Sequence, residues 1–137
     1  MTTLLLDTVL APAPQCVAAA RDAVDAVLAE VGLEPLADDV CLLTSELVTN
    51  GVRHARTPLA LWVEWDGHSV RVALKDRDRR PPQPRPNDPK EPGGLGLAII
   101  DAVASRWGYE READGAKVVW FELEALDGAL AGSGAAG

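Results

Sequence analysis

Positive charge is the first thing in short supply. Thirteen Lys and Arg stand against 21 Asp and Glu, a formal net charge of −8 at pH 7. Phosphate backbones reward clustered cations, so this balance argues against direct nucleic-acid binding. A partner reached through charge would be basic. Cysteine is nearly absent as well. Cys16 and Cys41 sit far apart among small and apolar residues, with no CxxC or Cys/His spacing, so two buried, reduced thiols are expected rather than a metal or redox motif. No apolar run approaches membrane-spanning length, and no basic segment precedes the apolar stretch at the N-terminus. Neither a membrane span nor a signal peptide is read, and a soluble, cytoplasmic protein is expected. There is no internal repeat.

What is there suits one globular domain: 137 residues with an apolar share of 47%. Leu4 to Leu10 reads as a first strand. Val17, Ala20, Val24, Val27 and Val31 recur at helical spacing from about Pro14, and Gly32 follows as a stop. A second helix is expected from Ala37, with Asp38 and Asp39 at its positive end, to about Arg53. Leu59 to Trp65 alternates as a strand, Asp66-Gly67 marks a hairpin turn, and Val70 to Leu74 continues it. Between Lys75 and Gly93 lie six of the ten prolines and six of the thirteen basic residues, which reads as an exposed loop. Gly93-Gly94-Leu95-Gly96 then opens a third helix to about Ser105. Strands are expected at Trp107 to Arg111 and Val118 to Leu123. The Gly/Ala/Ser tail, 126–137, reads as disordered. The resulting class is α+β: a two-layer sandwich with a mixed, mostly antiparallel sheet and helices on one face.

Three places in this plan carry chemistry. Glu46 and Asn50 are four apart and share a helix face, and at about 100° per residue that face also holds Leu42, Leu43 and Leu47. A carboxylate and an amide within an apolar stripe must be satisfied by something, because burying them unpaired costs several kcal/mol in order of magnitude. They either bind a ligand or lie at the stripe's edge, bonded to protein or water. Asp76 ends a strand where a loop begins, and is either a turn former or an acceptor for a ligand amine. A carboxylate only accepts hydrogen bonds, so it suits the exocyclic amine of adenine and is repelled by the carbonyl oxygen of guanine. Lastly, Gly93-Gly94-Leu95-Gly96-Leu97 at a helix start permits close backbone approach, and its free N–H groups favour an anion. The loop before it carries Arg77, Arg79, Arg80, Arg85 and Lys90 within an acidic chain.

In this order the three places resemble the signature of the GHKL ATPases, with the Bergerat ATP-binding fold. The N box is Glu46-x-x-x-Asn50, the adenine aspartate is Asp76, and the glycine box is Gly93-Gly94-Leu95-Gly96-Leu97. The wording Leu43-Thr44-Ser45-Glu46-Leu47-Val48-Thr49-Asn50, then Arg53-His54-Ala55, is similar to the short anti-sigma-factor serine/threonine kinase branch. So is the ending Trp107-Gly108 and Val119-Trp120-Phe121. The resemblance covers roughly Leu4 to Leu123, within a domain of 1–125.

The resemblance implies ATP and Mg²⁺ as cofactors. Asn50 would ligate the metal, Asp76 would hold adenine, Gly93, Gly94, Leu95, Gly96 and Leu97 would cradle phosphates, and 77–92 would be the ATP lid. Arg53 and His54 would lie near the nucleotide, and Glu46 would be the general base. The hydroxyl phosphorylated would be a serine of an anti-anti-sigma protein and the competing partner a sigma factor; members of the branch often dimerise. Three departures stand out. Asp76 is followed by Arg77-Asp78-Arg79 where glycines are common, Gly51 stands where Ala is usual, and Val118 lacks the hydroxyl of a Thr that contacts nucleotide in many relatives. They leave a second reading open, a non-catalytic ATP-dependent module that sequesters a partner. A histidine kinase fits poorly, because neither His54 nor His68 lies in a helical hairpin suited to a phosphoacceptor.

Overall fold

The computed structural model describes residues 1–54, 57–77 and 97–125. The elements run β1 (Thr3–Leu10), α1 (Cys16–Glu30), α2 (Glu34–His54), β2 (Leu59–Trp65), β3 (Ser69–Asp76), α3 (Ala98–Val103), β4 (Arg106–Arg111) and β5 (Lys117–Glu124). The five strands form one sheet in the order β1-β2-β3-β5-β4. The class is the expected α+β. The sheet, expected to be mixed but mostly antiparallel, is antiparallel at every junction between neighbours. Two hairpins, β2-β3 and β4-β5, supply two of those junctions directly. The glycine box at 93–96, most of the expected lid (78–92) and the tail lie outside the described residues.

Strand alternation sorts the sheet into two faces. Leu6, Val63, Val72, Phe121 and Trp107 form one cross-strand row, and Thr8, Leu61, Leu74, Val119 and Tyr109 form the next. The apolar members of these rows join the helices in one core, with Phe121, Leu61, Val63 and Val72 fully buried. Two-residue periodicity therefore decides which side chains lie beneath α1 and α2, and which lie on the opposite face.

Helix α1 buries Cys16, Ala20, Val24 and Leu28. Of the series expected from the sequence, Ala20 and Val24 are fully buried, Val17 and Val27 are half-buried at the edge of the row, and Val31 is exposed. Four-residue spacing through Leu28, not the valine count, fixes the face. Helix α2 begins at Glu34 rather than Ala37. Pro35 falls in its first turn, where the missing N–H costs nothing, so Leu36 and Ala37 are already helical and buried. Both cysteines are free and buried, as expected. Burial, the largest cause, raises the Cys41 thiol above its ordinary pKa, and its Sγ donates to the carbonyl of Arg21 at 3.7 Å. No described helix is long and apolar enough to cross a membrane.

Candidate functional site

The C-terminal half of α2 lies against β3 and β5, and there the core opens into a small cavity that faces solvent at its mouth. Helix α2 contributes Leu47, Asn50, Gly51 and His54, β3 contributes Leu74 and Asp76, and β4 and β5 contribute Tyr109, Lys117 and Val119. The strand phases explain this set. Leu74 and Val119 are cross-strand partners, and two residues along each strand Asp76 and Lys117 are partners again on the same face. The row that begins as core at the sheet's centre ends as a charged pair at its rim. Gly51 allows α2 to approach closely, since a Cβ there would stand 2.6 Å from Leu74 Cδ2.

Two polar groups in this wall are unusual. Asn50 is 8% exposed, and its Oδ1 is buried without a hydrogen-bond partner among the described residues. Such an acceptor costs about 1–3 kcal/mol when left unsatisfied, which is the signature of a group waiting for a ligand or a water. Lys117 is buried to 7% of its side-chain surface, with Asp76 at 13%, and their charged atoms stand 3.9 Å apart. That exceeds the roughly 2.7–2.9 Å of a closed charge-assisted hydrogen bond, so the two groups lie side by side without one saturating the other.

The expected site residues divide into those the cavity gathers and those it does not. Asn50, His54 and Asp76 line it together. Glu46 lies one turn before Asn50, half-buried, and does not line the cavity. Its stripe is narrower than the sequence suggests, because Leu42 is 43% exposed while Leu43 and Leu47 are buried. Arg53 is exposed at the end of α2. Leu97, the last residue of the glycine box, buries its side chain in the core, and its carbonyl accepts the N–H of Asp101 at 2.8 Å. Gly93, Gly94, Leu95 and Gly96 lie outside the described residues. His68 is exposed in its turn.

Sequence reasoning missed Lys117 and Tyr109. The departure noted at Val118 falls one residue off the cavity wall: Lys117 and Val119, in phase with Phe121, face the cavity. Strand phase, counted back from buried Phe121, was the available signal. Among the described residues no group of three His, Cys, Asp or Glu is placed to hold a metal ion. A cation here would rest on Asn50 and on oxygens brought by a ligand, the pattern usual for Mg²⁺.

A cleft between a helix end and a sheet rim, with apolar walls and three converging polar groups, defines a small-ligand-binding α+β domain. The model of the histidine kinase-like ATPase domain family matches residues 10–122. The chain belongs to that family, the ATP-binding GHKL group. No curated protein matches the chain.

Proposed function

We propose that this domain is an anti-sigma regulatory serine/threonine protein kinase. It binds Mg·ATP, phosphorylates a serine of an anti-anti-sigma protein and sequesters a sigma factor. The observation that carries the ATP reading is the buried Asn50 Oδ1 with no partner among the described residues, in one cavity with Asp76. An amide oxygen is a hard donor suited to Mg²⁺. Leu47, Leu74 and Val119 offer flat apolar walls for a base, and Asp76 accepts from its exocyclic amine. The kinase branch rests on the sequence around the N box and at Trp107-Gly108 and Val119-Trp120-Phe121.

In this reading Asn50 and Asp76 fix the two ends of the nucleotide. Glu46, on the Asn50 face of α2, takes the proton of the attacking serine hydroxyl as its oxygen bonds to the γ-phosphorus and ADP departs with the bridging oxygen. Positioned proton transfer contributes typically ~10²–10⁴-fold. When bound, magnesium offsets the negative charge on the phosphates. Holding the acceptor in line is the larger part of the protein's work.

One observation favours a second reading. Glu46 does not line the cavity that holds Asn50 and Asp76, so a binder that uses ATP without turning it over accounts for the same pocket. Incubation with γ-labelled ATP, Mg²⁺ and candidate antagonist proteins separates the two. Label on an antagonist serine supports the kinase. Nucleotide binding with partner capture and no label sinks it in favour of the binding module.

A further inference from the structure

The cavity contains a charged group that the nucleotide reading above leaves without work. Lys117 is 93% buried by side-chain surface, lines the cavity, and is held beside Asp76 by the β3-β5 register. The apolar stem is covered, and the ammonium is carried to the rim of the sheet, where its hydrogens face the cavity. Among the described residues its one ion-pair partner is Asp76 at 3.9 Å, and an ammonium carries three donors. The rim of the sheet therefore presents an acceptor and a donor side by side, facing the same space.

A six-aminopurine offers the complementary pair on one edge. Its exocyclic amine donates, and the adjacent ring nitrogen N1 accepts. Asp76 alone reads only the first of these. We propose that Lys117 is a second base-reading residue, donating to the purine N1 while Asp76 accepts from the neighbouring amine. The proposal rests on the nucleotide reading and deepens it. Recognition becomes two-point, so a base must match in both donor and acceptor order. Lys117 lies at the base end, because its neighbour is Asp76 rather than Asn50. That position sets it apart from a phosphate-binding lysine.

The ligand itself can be altered, which avoids relying on a variant that fails to fold. Calorimetric titration compares ADP with 1-deaza-ADP, which lacks the N1 acceptor, in the presence of Mg²⁺. The wild-type protein is expected to bind 1-deaza-ADP about tenfold or more weakly, the size of one hydrogen bond to a charged group. Lys117→Met keeps the length and apolar stem of the side chain. It is expected to bind both ligands with nearly equal affinity, because the donor is gone. Equal binding of both ligands by the wild type overturns the assignment, as does the same penalty in wild type and Lys117→Met. In either case ADP still binds, so the nucleotide reading stands. Absence of ADP binding to a folded wild type at millimolar concentration overturns both.

Discussion

Gly51 on α2 faces Leu74 on β3 so closely that a Cβ would lie 2.6 Å from Leu74 Cδ2 and 3.4 Å from Leu59 Cδ1. A helix interior normally disfavours Gly by about 0.8–1.0 kcal/mol against Ala, and here the small residue lets the helix settle on the sheet. The obstructing atom is the tip of a flexible side chain, so Gly51→Ala is expected to change stability by less than about 1 kcal/mol, propensity gain and overlap nearly cancelling. Leu74 must move, however, and it lines the cavity. Nucleotide affinity should fall while the urea midpoint holds. A variant that gains the full propensity increment and binds as the wild type does would show that Leu74 is unconstrained.

A second close approach lies on the opposite face of the sheet. A Cβ on Gly108 would meet Trp120 Cζ2 at 2.6 Å and Cε2 at 2.8 Å, and the Arg71 guanidinium lies 4.2 Å from the centre of that indole. Arg71 also pairs with Glu122 at 3.2 Å. The ring is rigid, so nothing cheap can yield. Gly108→Ala is expected to cost about 1–3 kcal/mol, the usual range for overpacking. In a Trp120→Leu background the same substitution should cost almost nothing. Equal costs in the two backgrounds, measured by urea denaturation, would mean that the indole is not the obstruction.

The parts of the fold that repeat were legible in the sequence. Alternation in Leu59–Trp65 and the Asp66-Gly67 turn gave the β2-β3 hairpin, and helical spacing located α1 and α2. What was not legible depended on phase and on partners. Strand phase relative to buried Phe121 decides that Lys117 and not Val118 faces the cavity, and that phase has meaning only once the core face of β5 is known. On α1 the sequence located the buried side through Ala20 and Val24, while packing against α2 and β1 placed Leu28 innermost and left Val17 and Val27 at its edge. Asn50 and Asp76, singled out by residue type and spacing, both line the cavity. Tyr109 and Lys117 come from a strand pair distant in sequence, and nothing local to them signals a ligand.

The hairpin makes a prediction about acid. Asp66 Oδ1 accepts the backbone N–H groups of Ser69 and His68, each at 2.8 Å. The Ser69 bond, then the His68 bond, hold the Asp66 carboxyl below its ordinary pKa. A carboxyl whose pKa is depressed on folding stabilises the protein fully above the unfolded value, about 3.9. That contribution is lost as pH falls through the lower folded value. Asp66→Asn keeps an acceptor oxygen and cannot ionise. The stability gap between wild type and Asp66→Asn should therefore be widest near neutrality and close below the ordinary aspartate range. A gap independent of pH would show that charge has no part in this turn.

Asn50 and Glu46 sit one turn apart on the same face of α2, and their variants should fail in different ways. Asn50 Oδ1 is buried without a hydrogen-bond partner among the described residues, so Asn50→Ala deletes an acceptor whose desolvation is already paid for. The nucleotide-free protein should lose little stability from that atom. What it should lose is the rise in thermal midpoint that Mg·ADP gives the wild type, because a ligand binding only the folded state stabilises it by mass action. Glu46 is half-buried and outside the cavity lining, so Glu46→Gln should keep that rise intact. If Glu46 is the base, phosphoryl transfer to an antagonist serine should fall by about 10²–10⁴-fold in Glu46→Gln. Asn50→Ala with an undiminished Mg·ADP shift would remove the metal assignment. Glu46→Gln transferring phosphate at the wild-type rate would leave the proton to another group or to the substrate. The two results are independent, since one reads binding without chemistry and the other reads chemistry at saturating nucleotide.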